Sequence, residues 1–215
     1  MFKVYIPSLG RAGNQLTANL LLREGIIPNI VVESQEVDEY RELNPNAKII
    51  VLPDSNMGPV YAREFIRNYS DDAGDEFHWM IDDDIRMVQH WVDGKRVEAK
   101  PGEIKPILER IESFVSSYEN VAVASLKNNV WGYQIDNVPF RLNTQVYVFM
   151  LMKNNIGFGF RGEHPFLPDI DFCIQVLAKK YCTMLFPNYQ FENIPNNTQS
   201  GGITDIRKRI EDYDI

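Results

Sequence analysis

Cysteine is scarce in this chain, with two among 215 residues, Cys173 and Cys182. Two do not make a disulfide framework, and they point to a reducing compartment. No apolar run reaches the length of a bilayer span, and the start, "MFKVYIPSLG", has no basic leader. The expectation is a cytoplasmic protein. Positive charge is also short: the formal net charge is -8. Nucleic-acid binders are more often basic, so a nucleic-acid partner would need a local basic patch. Internal repeats and interdomain linkers are missing too. What is present is apolar residue enough for a substantial core, 44% of the chain, and the simplest reading is one domain.

The first half alternates apolar runs with helical patterns. "FKVYIP", "NIVVES", "KIIVLP" and "FHWMID" read as strands. Between them "GNQLTANLLLREG", "SQEVDEYRELN" and "GPVYAREFIRNYS" read as helices, the first stopped by Gly25 and the last opened near Pro59. This order predicts an α/β sheet, mostly parallel. Asp93-Gly94 then signals a two-residue hairpin turn. "GEIKPILERIESFVSSYEN" places Ile104, Ile107, Leu108, Ile111, Phe114, Val115 and Tyr118 on one helix face. "VAVASL" and "QVYVFMLM" read as further strands. "GFGFRGEHPFLPDIDFCIQVLAKKY" reads as a glycine-rich aromatic loop and a helix. The tail from "FENIP" onward is polar and expected to be partly mobile.

The fourth strand runs directly into Asp82, Asp83 and Asp84. Three adjacent carboxylates repel, and burying them is costly. In open α/β sheets ligands bind beyond the carboxyl ends of strands, where these acids fall. Strand alternation puts Asp82 and Asp84 on one face and Asp83 on the other. Two carboxylates without nearby His or Cys suit a hard cation, Mg²⁺ or Mn²⁺, that keeps waters and takes phosphate oxygens. A solvated acidic turn is the plain alternative. "PSLGRAGN" is neither a P-loop nor a dinucleotide fingerprint. Its Gly10 and Gly13 let backbone approach a ligand, and Arg11 suits a phosphate. An ordinary strand-to-helix turn is the plain alternative there.

An apolar strand ending in Asp-x-Asp about eighty residues into an α/β chain resembles the metal motif of nucleotide-sugar glycosyltransferases with the GT-A fold. "VYIPSLGRAGN" resembles their first strand and nucleotide loop, and "GPVYARE" the helix before the metal motif. "GFGFRGEHPFLPDIDFCIQVL" resembles the late acceptor-side loop and helix with the acidic catalytic motif. More narrowly, "YIPSLGRA", "IDDDI" and "DIDFCIQVL" resemble the TET-associated glycosyltransferases, phage-type enzymes proposed to attach sugars to hydroxylated DNA bases.

The resemblance implies a single GT-A type domain over 1–215: a nucleotide-sugar half, 1–84, an acceptor half, 85–202, and a tail, 203–215. It implies a nucleotide-diphosphate donor, UDP by preference, with Mn²⁺ or Mg²⁺ on Asp84 and Asp82. Pro7, Ser8, Gly10, Arg11, Glu33, Arg63, Asp82 and Asp83 become donor-site candidates. Glu163 and His164 become substrate-side candidates. Asp169 is the expected general base and Asp171 its neighbour; the plain reading of both is helix capping. No histidine follows His164, so the late histidine ligand of many GT-A enzymes is lacking, leaving Asn196, Asn197, Gln199 or water.

The expected acceptor is a 5-hydroxymethylated pyrimidine in DNA, with a glycan or small molecule as the alternative. Trp131, Tyr133, Phe140, Phe158, Phe160 and Phe166 are candidates to stack on a base, and Lys127, Arg141, Lys153 and Arg161 to follow phosphates. A sugar-nucleotide pyrophosphorylase would want paired glycines and a lysine that "SLGRAGN" lacks. A phosphatase would carry its Asp-x-Asp on the first strand. A binding module without turnover is the non-enzymatic alternative.

Overall fold

The computed structural model describes residues 1–131, 138–162 and 167–195. Ten strands among them form one sheet: β1 (Lys3–Pro7), β2 (Asn29–Val32), β3 (Lys48–Val51), β4 (Phe77–Ile81), β5 (Ile85–Val92), β6 (Lys95–Glu98), β7 (Val121–Asn128), β8 (Arg141–Leu142), β9 (Phe149–Lys153) and β10 (Cys182–Asn193). Their order is β3-β2-β1-β4-β9-β7-β10-β5-β6, with β8 beside β10. The β3-β2-β1-β4 run and the β7-β10 pair are parallel. β9, β5 and β8 run against the others. One sheet thus passes through both halves of the chain, mostly parallel, with the antiparallel β9 between its two parallel runs.

Helices cover both faces. The buried residues of α1 (Leu16–Arg23), α2 (Val37–Leu43) and α4 (Ile104–Val115) join one hydrophobic cluster, and those of α3 (Gly58–Asp72) and α5 (Pro168–Ala178) join the other. The sheet residues divide by alternation: in β1, Val4 and Ile6 face the first cluster and Tyr5 the second. On α4 the expected stripe is buried from Ile104 to Val115, but Tyr118 lies past the helix end and is exposed. Glu112 is buried on the same helix, where it accepts from Trp79 Nε1 at 2.7 Å.

Asp93-Gly94 makes the hairpin turn, with both residues at positive φ and Val92 facing Lys95. Two expectations shift. "QVYV" does not begin β9, which starts at Phe149. Nor does "FEN" open a mobile tail: Phe191–Asn193 end β10, and residues 196–215 lie outside the described residues. β10 hides in the sequence because Pro187-Asn188 splits its apolar run and reads as a turn. The strand survives by slipping register against β7 between Phe186 and Gln190, so the missing proline N–H breaks no regular ladder.

Candidate active site at the end of β4

The acid turn is built from backbone first. β4 ends at Ile81, so Asp82–Asp84 lie in a turn, and strand alternation does not set their directions. Thr17 of α1 staples that turn. Its Oγ1 donates to the Asp82 carbonyl at 2.5 Å and accepts from the Ile85 N–H at 2.9 Å, while its own N–H reaches the Asp83 carbonyl. From the other side the Ile194 N–H donates to the Asp84 carbonyl at 3.1 Å, so the end of β10 also meets the turn. No sequence signal marked Thr17 or Ile194 for this role.

The three carboxylates then part. Asp83 is buried; Ser8 Oγ donates to its Oδ2 at 2.5 Å and Arg11 pairs with its Oδ1 at 2.5 Å. Burial still raises its pKa, against Arg11 and Ser8. Ser8 is a hub: it also accepts from Gln15 Nε2 at 2.7 Å and from the Tyr40 hydroxyl at 2.8 Å. Its hydroxyl is therefore fully occupied. Asp82 turns toward α3, where Arg63 donates to its Oδ1 at 2.8 Å.

Asp84 differs from both. Arg11 stands 3.8 Å from its Oδ2, while its Oδ1 is buried without a partner. Burial, then the charges of Asp82 and Asp83, push its pKa up to about 7. A buried carboxylate oxygen with no donor is an unstable arrangement unless a ligand completes it. Among the described residues no group of three or more His, Cys, Asp or Glu is placed to hold a metal ion. A hard cation at Asp84 would therefore take most of its ligands from water and phosphate and not from an all-protein cage.

The two candidate bases also part. Asp169, in the first turn of α5, pairs with the other amino group of Arg63. Burial raises its pKa to about 6, against Arg63 and the Val148 N–H. Asp171 is turned away, buried and held by Arg161 and by Gln175 Nε2 at 2.9 Å. Arg63 is itself only 7% exposed; burial acts against its charge, but Asp169 and Asp82 outweigh it and keep it protonated.

Other candidates take structural partners. Pro7 ends β1, opposite Val31. The Gly10 N–H donates to Glu36 Oε1 at 2.8 Å at a positive φ that glycine tolerates. Glu33 is buried and accepts from the Asn56 N–H at 2.8 Å and from Gln35 Nε2 at 2.5 Å. Phe158 and Phe160 pack on Phe172, and Phe140 on Phe114, as core aromatics. Lys153 lies over the Phe77 ring at the far end of β4, away from the acids, and Arg161 is tied to Asp171. Lys127 is half-buried and Arg141 exposed. Glu163, His164, Tyr133, Phe166, Asn196, Asn197 and Gln199 lie outside the described residues, as does the Trp131 side chain.

A model of the TET-associated glycosyltransferase family matches residues 2–202. The chain belongs to that family. It is a glycosyltransferase by that membership, and its fold has solved counterparts. A putative nucleotide-diphospho-sugar transferase from Desulfovibrio desulfuricans G20 superimposes with a TM-score of 0.50 at 11% identity, covering 100% of both chains. A197 from STIV gives 0.50 at 12% identity over 91% of this chain and 87% of that one. At such identities the likeness concerns fold. No curated protein matches the chain by sequence. Among the described residues no helix is long and apolar enough to cross a membrane.

Proposed function

We propose that this glycosyltransferase moves a sugar from a nucleotide-diphosphate donor, UDP by preference, with Mg²⁺ or Mn²⁺ at Asp84 and Asp82. The observation that carries this is the unpartnered, buried Oδ1 of Asp84 at the carboxyl end of a central strand. The cation would supply Lewis-acid stabilisation to the departing diphosphate. Asp84 and Asp82 would orient it, and Arg11, already beside Asp84, would bring a guanidinium to the phosphates. Asp169 would take the proton from the acceptor hydroxyl in an inverting course, its pKa of about 6 leaving it ionised at neutral pH.

For the acceptor, the reading is a 5-hydroxymethylated pyrimidine in DNA. Family membership supports it; the core aromatics Phe158 and Phe160 lend it nothing. A glycan acceptor is the second reading. The test is one incubation of the protein with Mn²⁺, a panel of nucleotide sugars, and hydroxymethylcytosine, hydroxymethyluracil or unmodified DNA, followed by nucleoside mass spectrometry. A hexose or pentose mass added only to the hydroxymethylated nucleosides supports the reading. Release of nucleotide diphosphate with no nucleoside mass gain removes the DNA acceptor and keeps the donor. No metal-dependent nucleotide binding removes both.

A further inference from the structure

The arginine of this helix was expected to approach the nucleotide or the acids; Arg63 meets the acids, and its surroundings suit a further task. It is 7% exposed, in the second turn of α3, and its two amino groups are divided between carboxylates from separate parts of the chain. One donates to Asp82 at 2.8 Å in the acid turn; the other pairs with Asp169 on α5. Val148 lies between them: its carbonyl accepts from the Asp82 N–H at 3.0 Å, and its N–H acts to lower the Asp169 pKa. Val148 holds φ at 66°, a left-handed conformation that a β-branched residue adopts only where surroundings impose it. Left alone, Asp82 and Asp169 repel each other, and Arg63 sits between the two charges. The neighbouring groups are otherwise occupied: Glu64 binds Arg67 and the Phe160 N–H, and Cys173 faces the Val146 carbonyl.

We infer that Arg63 is a positioning residue that fixes the acceptor-activating carboxylate, Asp169, at a set place relative to the donor-binding acid turn. The inference rests on the proposed reading of Asp82 as donor-side and Asp169 as acceptor-side. A fork-shaped cation suits this because its two amino groups have fixed spacing; a lysine is a point charge and fixes none. An error of about 1 Å in such a position costs on the order of 10²-fold in rate.

The test uses the full chain with Arg63→Lys, Arg63→Gln, Asp169→Asn and the Arg63→Gln/Asp169→Asn double variant. Calorimetry reads UDP affinity with Mn²⁺, and donor turnover, with water or the best acceptor, reads kcat and KM. Arg63→Lys is expected to keep nucleotide affinity within about threefold and to lower kcat about 100-fold with KM little changed. In the Asp169→Asn background, Arg63→Gln is expected to cost less than about threefold more, since the two act as a unit. Nucleotide affinity falling with kcat would make Arg63 a donor ligand and overturn the inference. Multiplying losses would overturn it too. Wild-type protein that binds no nucleotide would refute the functional reading instead. The unfolding cycle on the wild type, Arg63→Gln, Asp169→Asn and their double variant still decides the tie: coupling above tenfold in the folding equilibrium, about 1.4 kcal/mol, supports it, and additive effects sink it.

Discussion

β4 carries buried polar groups at both ends, and the two ends handle them differently. At its start His78 is buried, and its Nδ1 meets Asn154 Oδ1 at 2.8 Å. Asn154 in turn donates to Ser70 Oγ and to the Asp75 carbonyl, each at 2.8 Å. Burial lowers the His78 pKa to about 4, so the ring is neutral at physiological pH. Its unpartnered Nε2 costs a neutral group's desolvation, not a charge's. At the other end four carboxylates, Asp82, Asp83, Asp84 and Asp169, meet two arginines. There burial raises three of the pKa values, and one carboxylate oxygen has no partner. One end reached a low-energy resting state by discarding charge. The other keeps carboxylates whose burial is incompletely compensated, with one oxygen unpartnered, a pattern that marks a candidate functional site more than a structural polar cluster.

The largest expected effect breaks the acid end. Asp84→Asn removes the carboxylate with the unpartnered oxygen. Metal-coupled nucleotide binding is expected to fall by about 100-fold or more, in the range of losing one electrostatic group at a catalytic centre. Asp93→Asn, in the hairpin turn, serves as the control and should change nothing. The same Asp84→Asn protein without nucleotide should melt at a higher temperature at pH 8, because a buried charge has gone. Equal nucleotide affinity in both variants by calorimetry would remove the metal reading.

Next, Asp169 and Asp171 should separate. Asp169→Asn is expected to reduce turnover by about 10²- to 10⁴-fold, the usual contribution of a general base, with nucleotide affinity nearly unchanged. Asp171→Asn should spare chemistry and cost about 1–2 kcal/mol of stability, as a charged hydrogen bond to Arg161 and one to Gln175 weaken. Arg161 is 45% exposed and turns to water, which keeps the cost modest. Kinetics and urea unfolding on the two variants read the difference; a reversed pattern would exchange their roles.

Much of this was legible beforehand. Apolar runs alternating with helical patterns, with Gly25, Pro59 and Asp93-Gly94, were enough for the α/β order, and the acid triplet after an apolar strand pointed to the candidate site. What escaped had physical reasons. β10 was masked by Pro187. Val148 gives no sign in sequence that its φ is positive, since that follows from contacts on both sides. Thr17 and Tyr40 look like ordinary helix residues, and become site supports only because their helices pack against the acid turn. The fate of Ser8 and Asp171 was equally hidden, because hydrogen-bond partners far apart in sequence took their polar atoms.

Titration should then expose the two ends with opposite signs. Burial lowers the His78 pKa from the usual 6.5 to about 4 in the folded chain, so the unfolded chain binds more protons between them. Its contribution, about 3 kcal/mol, is present above pH 6.5 and is lost as pH falls toward 4. Asp84 and Asp169 have folded values of about 7 and about 6, above 3.8, so the folded chain binds more protons there, and stability is lost as pH rises through that window. Between pH 4 and 6 the one rising slope meets two falling ones, so these three groups together make stability fall with pH. Asp84→Asn removes one falling slope and should flatten the curve across this range. Urea unfolding at half-unit steps checks it; an unchanged slope would mean Asp84 titrates normally.

The smallest expected effect lies between the ends, on α3, which carries Arg63 near the acids and, one turn on, Arg67 in electrostatic reach of His78. Gly159 presses against this helix: a Cβ there would come within 2.2 Å of Glu64 Oε2 and 2.5 Å of Arg67 Nε. Both are ends of flexible side chains, so Gly159→Ala would displace them without moving backbone. The displaced Glu64 would lose its bond from the Phe160 N–H, 2.8 Å in the wild type, and the Arg67 pair would loosen. The expected cost is about 1 kcal/mol, the scale of one hydrogen bond. Arg63 keeps both carboxylates, so nucleotide affinity and turnover should stay within about twofold of wild type, the loss in stability notwithstanding. Turnover falling tenfold with Gly159→Ala would mean that the acid end is braced through Glu64 as well, and that α3 does not insulate the two ends of β4 from each other.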